Sequence, residues 1–297
     1  MVAIHQGITK HIDGGIYGVA AYYSINDDTQ HIVVATNDGV LHEIHWNSHV
    51  GPSTPLKLAQ FNGLVCFSGF FTPDDDHQHV IVATNNSNVH EIYFTRPDQP
   101  GVRSPLYHLK SIIGPHIGMA GFYTPDDQLR NAVIVDKDGE LHQVFFSGTQ
   151  SPDAEDFPTQ FDLKDIGGLA GFYSTDDNLR HIIVVLKDGQ VYDVNFRSRQ
   201  KTASSDFLTQ FDATLVNVAA FYTPEGLHHV IALTDKGDIY DYPHNPSTTL
   251  TLDRVQLANF KNIVDMAAYY SVNDNNCHVI VATSDGNLHE IYYQVLG

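Results

Sequence analysis

Short apolar runs, not long stretches with helical spacing, organise this chain. An apolar–aromatic segment recurs six times, as Val19-Ala-Ala-Tyr-Tyr23, Phe67-Ser-Gly-Phe-Phe71, Met119-Ala-Gly-Phe-Tyr123, Leu169-Ala-Gly-Phe-Tyr173, Val218-Ala-Ala-Phe-Tyr222 and Met266-Ala-Ala-Tyr-Tyr270. Their third residues stand at 21, 69, 121, 171, 220 and 268, so the period is 48 to 52 residues. A fixed period of that size is the mark of a repeat architecture. Each unit divides into four β-type segments, which in the first are Ile16–Tyr23, His31–Thr36, Val40–Trp46 and Pro55–Phe61. The second segment is the most β-branched, with Ile32-Val33-Val34, Val80-Ile81-Val82, Ile182-Ile183-Val184-Val185 and Val279-Ile280-Val281. Such residues suit a pleated, packed surface. Turn formers separate the segments, among them Asn26-Asp27-Asp28, Pro73-Asp74-Asp75-Asp76, Pro125-Asp126-Asp127 and Pro224-Glu225-Gly226. The pattern predicts an all-β chain.

Units of about fifty residues with four strands each predict a six-bladed β-propeller of four-stranded antiparallel blades, forming a single domain over residues 1–297. The first strand of each unit carries small residues at its centre (Ala20-Ala21, Ser68-Gly69, Ala120-Gly121), as needed where six strands converge on a channel. The last unit stops after its third strand, while Ala3–Thr9 precedes the first copy where a fourth strand belongs. The N-terminal strand is therefore expected to complete the last blade and close the ring, shielding an open sheet edge. A linear solenoid would need caps instead.

Charge narrows the partners. The chain has 16 basic and 35 acidic residues, a net −19. An acidic surface repels phosphate backbones and anionic lipid, so neither nucleic-acid binding nor membrane insertion is expected. The start of the chain has no basic segment followed by an apolar run, which predicts a cytoplasmic protein or one released without a signal peptide. Cys66 and Cys277 read as free thiols.

The candidate chemistry is a repeated polar pair. One polar residue opens the second strand and another follows twelve positions later: His31/Glu43, His79/Glu91, Asn131/Gln143, His181/Asp193, His229/Asp241 and His278/Glu290. Asn37-Asp38-Gly39 suits a three-residue hairpin loop with glycine in the left-handed position. In that register Thr36 faces Val40 and Val33 faces Glu43, so His31 and Glu43 share a face as diagonal neighbours. A two-residue loop would place them on opposite faces. The pair can serve as a ligand site or as a structural tie between strands and blades. A second series, His42, His90, His142, Tyr192, Tyr240 and His289, lies on the opposite face and is expected to pack blade against blade.

The architecture and this spacing resemble the fucose-binding propeller lectins, the family of the orange-peel mushroom lectin and its bacterial relatives. In that family an Arg on the second strand and a Glu on the third bind sugar hydroxyls, and a neighbouring aromatic stacks on the ring. The resemblance assigns the Glu position to Glu43, Glu91 and Glu290, and conservatively to Asp193 and Asp241. The Arg position holds His31, His79, His181, His229 and His278, with Asn131 in the third copy. Trp46 is the one Trp available as a platform. The resemblance implies a multivalent carbohydrate-binding protein with sites between blades. Physical chemistry agrees, because a carboxylate accepts from vicinal hydroxyls while imidazole donates or accepts.

Two other classes stay open. Propellers also place activity at the central channel, and Asp265 and His116 lie just before innermost strands, as an acid–base cyclase, lyase or hydrolase would need. The long loops Ser147–Phe157 and Ser198–Phe207 could instead form contact surfaces of an interaction scaffold. No cofactor is expected. His42-Glu43-Ile44-His45 is one residue short of a zinc-protease motif and lies on a strand. The paired acids at Asp27-Asp28, Asp126-Asp127 and Asp176-Asp177 lack the spacing of a calcium loop. The 18 histidines are spread over all six units, so sequence alone selects no metal cluster.

Overall fold

The computed structural model describes residues 4–47, 50–95, 99–108, 118–136, 139–147, 153–156, 165–197, 203–246 and 253–294. Its strands form six four-stranded antiparallel sheets. Blade 1 comprises Ile16–Ser24, Thr29–Thr36, Val40–Trp46 and Leu56–Gln60, numbered here from the inner to the outer strand. Blades 2 to 5 repeat that order along the chain. In blade 6 the strands Ile263–Ser271, Asn276–Thr283 and Asn287–Tyr293 are completed by Ile4–His11 from the N-terminus. The ring closes as the end segments predict.

The second strands explain their β-branched composition. Val33, Val34, Ala35, Val80, Ile81 and Val82 are all 0 % exposed, because both faces of each second strand are covered by neighbouring blades. Alternate residues feed alternate cores. Val33 and Ala35 pack with Val80, Val82 and Phe94 between blades 1 and 2. Ile32 and Val34 turn the other way, to Ile280 and Leu288 of blade 6. Each fully buried side chain of this kind contributes roughly 1.5–3 kcal/mol.

The hairpin between second and third strands has the expected register. Gly39 N–H donates to Thr36 O (2.9 Å) at φ 78°, and Val33 stands opposite Glu43. Gly189, Gly237 and Gly286 repeat this bond and this positive φ, and Ser87 takes the same conformation at φ 65° without being glycine. Cys66 and Cys277 are free thiols. No helix among the described residues is long and apolar enough to cross a membrane.

Candidate ligand clefts between the blades

The register puts each pair on the face that looks toward the following blade, and the two members meet. His31 Nδ1 donates to Glu43 Oε1 (2.8 Å), His79 Nδ1 to Glu91 Oε1 (2.8 Å) and His278 Nδ1 to Glu290 Oε1 (2.9 Å). His181 and His229 make the same bond to Asp193 (2.8 Å) and Asp241 (2.9 Å). In the third copy Gln143 Nε2 donates to Asn131 Oδ1 (2.7 Å). A carboxylate only accepts, which places the proton on Nδ1.

An aromatic of the inner strand covers each imidazole. Tyr22, Phe70, Phe172, Phe221 and Tyr269 stack on His31, His79, His181, His229 and His278, with centroids 4.9 to 5.4 Å apart. The stacking follows from register, since Tyr22 is the strand partner of His31 and the other copies repeat it. In the cleft between blades 5 and 6, Tyr293 from the following blade donates to Asp241 (2.9 Å).

The pairs are closed. Their histidines are 0 to 4 % exposed and their acids 0 to 7 %. The expectation that His31, Glu43, His79, Glu91, His181, Asp193, His229, Asp241, His278 and Glu290 present themselves together to a ligand therefore needs correction. With both partners desolvated and bonded to each other, they form the floor of each cleft. Trp46, at 7 % exposure, is packed into the core between blades 6 and 1 and is not an open platform. The floor of the last cleft is also roofed by the N-terminal strand, where a side chain at Gly7 would collide with Glu290.

The electrostatics fit buried ties. Burial works to raise the Glu43 carboxyl, yet hydrogen bonds from His31 and His45 hold it below its ordinary value. Some histidines are gripped from both sides. Nε2 of His181 meets Asp177 (3.2 Å), and Nε2 of His278 meets Asp274 (3.1 Å). Despite desolvation, those bonds carry His181 up to about 9 and raise His278 as well.

Four of the six clefts expose a side chain two residues beyond the acid. His45, Tyr93, Asn195 and Tyr292 are part-exposed there, whereas Phe145 and Pro243 are buried. Tyr292 stacks on His5 (5.1 Å) and Tyr93 lies beside His77 (5.9 Å). Sequence reasoning missed this row, although its alternation with the acid was readable. Three of the second series pack across blades, His90 against Phe61, Tyr240 against Phe211 and His289 against Phe260, whereas Tyr192 meets Phe207 and His142 meets Asp136 of their own blades.

The central channel has a volume of about 470 Å³ and is lined by the small inner-strand residues. Asp265 is the one carboxylate among its described lining residues. Desolvation pushes Asp265 up to about 6 against donors from Val19 N (2.7 Å), Met266 N (2.8 Å) and Asn217 Nδ2 (2.5 Å). These bonds tie the inner strands of the neighbouring blades 5, 6 and 1 together at the channel wall. His116 and most of the two long loops lie outside the described residues.

The structure also assembles groups that sequence did not select. Ligating atoms of Asp177, His181 and His228, of Asp193, His228 and His244, and of Asp136, Glu140 and His142 each lie within 4.8 Å of one another.

No protein-family model matches the chain, and no curated protein matches it by sequence. Solved structures do match its fold. AofleA from Arthrobotrys oligospora superposes with a TM-score of 0.70 at 10 % identity, over 97 % of this chain and 86 % of that one. A variant of the Aleuria aurantia lectin bound to α-methyl-L-fucoside gives 0.70 at 10 % identity, over 98 % and 94 %. The BP39L lectin from Burkholderia pseudomallei gives 0.62 at 15 % identity, over 95 % and 85 %. The chain thus folds as a six-bladed β-propeller of the kind found in these lectins, along nearly its whole length.

Proposed function

We propose that the protein is a multivalent carbohydrate-binding ring whose sugar sites lie at the mouths of the clefts between blades. The observation that carries this reading is the repeated cleft. A rigid His–acid floor sits beneath a part-exposed imidazole or phenol, on a fold shared with glycan-binding propellers. The mouths at His45, at Tyr93 with His77 and at Tyr292 with His5 belong to three consecutive clefts. Rings such as these cover the apolar C–H face of a pyranose, while their polar atoms meet its hydroxyls. The buried pairs act as positioning groups that fix the third strand on which these rings stand.

The net charge of −19 disfavours sialylated or sulfated chains, so the ligand class is a neutral glycan. One shallow mouth gives a Kd near ~1 mM, about −4 kcal/mol. Several mouths on one ring raise avidity for a glycan-dense surface by about 10²–10⁴. Glycan-array screening followed by titration calorimetry tests this. Binding of neutral, fucosylated or related glycans at about three sites per chain is expected, falling by about one site in Tyr93→Ala. Silence across the array, or a single site unaffected by Tyr93→Ala and Tyr292→Ala, removes the reading.

A further inference from the structure

The cleft between blades 4 and 5 breaks the repeat at two facing positions. The residue before the floor histidine pairs across strands with a residue near the end of the third strand. The six pairs are Gln30/Trp46, Gln78/Phe94, Arg130/Phe146, Arg180/Phe196, His228/His244 and Cys277/Tyr293. Five of these place an aromatic carbocycle against the preceding blade, and blade 5 alone places two imidazoles there. His228 is 0 % and His244 6 % exposed, and neither ring nitrogen of either has a hydrogen-bond partner. Burying such groups unpaired costs about 1–3 kcal/mol each.

A third unpaired group faces them from blade 4. Asp193 accepts from His181 through Oδ2 (2.8 Å), while its buried Oδ1 has no partner. The His228 ring lies 4.5 Å from that of His181 and 5.2 Å from that of His244, edge-on to both. Three orphaned ligand atoms therefore converge in a desolvated cleft.

We propose that His228, His244 and Asp193 bind a divalent transition-metal ion, zinc by their ligand chemistry, which clamps blade 4 to blade 5. Two neutral imidazoles and a carboxylate are a three-residue zinc set with a fourth coordination position left open. Both imidazoles are buried and none of their ring nitrogens is engaged by the protein, so each has a nitrogen free to ligate. His181 grips the other carboxylate oxygen and orients Asp193 from behind, as groups outside the coordination sphere do in metal sites. Tetrahedral ligands at zinc lie about 3.4 Å apart. The present separations, within 4.8 Å, close to that value by small rotations of the side chains. The group of Asp136, Glu140 and His142 is a weaker candidate, because His142 Nε2 is already bonded to Asp136 (3.1 Å) and Glu140 is exposed.

This site is independent of glycan binding, and its test needs no sugar. The full chain is stripped with chelator, dialysed and titrated with Zn²⁺ at pH 7.5, with metal content, thermal midpoint and the visible spectrum of the Co²⁺ form as readouts. One zinc per chain, a raised midpoint and tetrahedral Co²⁺ bands are expected. His244→Phe installs the aromatic that the sister blades carry, so it folds, and it should weaken zinc binding at least about 100-fold. His228→Gln, the residue of blades 1 and 2, should do the same, and His181→Asn should weaken it by about 10–100-fold. Asp136→Asn should leave binding unchanged. No zinc uptake by the parent protein, or uptake that survives both His244→Phe and His228→Gln, overturns the proposal.

Discussion

Two adjacent clefts use the same backbone for opposite ends. Between blades 3 and 4, Arg180 reaches back across the cleft, donating from Nη2 to Asp127 (2.5 Å) and Thr124 (3.1 Å) while Phe196 fills the space beside it. Between blades 4 and 5 the equivalent acid is Asp177, but His228 and His244 stand in place of the Arg and Phe. The first cleft supplies its own cation, although Nε and Nη1 of Arg180 stay unpaired. The second supplies neutral nitrogen atoms with nothing to donate to or accept from. A repeated fold thus holds strand positions constant and lets two facing side chains decide whether a cleft is closed by the protein or needs something from outside.

The largest expected effect comes from breaking the self-sufficient cleft. Arg180→Ala leaves Asp127 without its buried cation and empties a large fully buried side chain, and it should destabilise the protein by about 3–5 kcal/mol in chemical denaturation. The mirror experiment has the opposite sign. In the presence of chelator, His244→Phe should stabilise by about 1–2 kcal/mol, because it removes two unpaired ring nitrogens and restores the aromatic of Phe196. If both variants destabilise alike, the two clefts are energetically equivalent and the contrast drawn between them is wrong.

Much of this was legible in the sequence. The period, the small inner residues and the incomplete last unit determine a closed ring, because they report steric needs local to each strand. The Asp38-Gly39 turn determines the register, and that alone places His31 beside Glu43. Whether the pair stays open was not legible. Closure depends on Tyr22 stacking over His31 and on the next blade covering both, which are packing facts between segments. The His228/His244 pair had a readable signal in the opposing positions of the second and third strands. Only alignment of the six units by register, rather than by the His/acid pair, separates it from the other histidines.

The cleft between blades 6 and 1 is the natural control. There His278 is held between Glu290 and Asp274, as His181 is held between Asp193 and Asp177, but Gln30 and Trp46 of blade 1 stand in place of the two extra histidines. His278 has its folded value raised above the unfolded one near 6.5, so its contribution is complete below about 6.5 and is lost as pH rises through the raised value. Against burial, bonding to His278 lowers Asp274, whose contribution is present above about 3.9 and fades as pH falls through the lowered value. The thermal midpoint should therefore exceed that of Asp274→Asn most between about pH 4 and 6.5, with the gap narrowing on either side. A gap constant from pH 4 to 9 would mean that the two-acid cradle carries no charge coupling, in either cleft.

The smallest effect tests the premise that the backbone is what the repeats hold constant. Ser87 occupies the turn position that glycine fills in the equivalent hairpins of the other blades, at φ 65° against 78° for Gly39, and it makes the same bond to the residue three before it (2.9 Å). A residue with a Cβ pays roughly 1–2 kcal/mol to sit in that region. Glycine also has more backbone freedom to lose on folding, a cost of about 0.5–1 kcal/mol. The difference predicts that Ser87→Gly stabilises by about 0.5 kcal/mol, read as a small rise in the denaturation midpoint with an unchanged slope. Destabilisation instead would show that the Ser87 side chain contributes more than its strain costs. The hairpin geometry of blade 2 would then be the work of its own side chains, not of the register shared by all the blades.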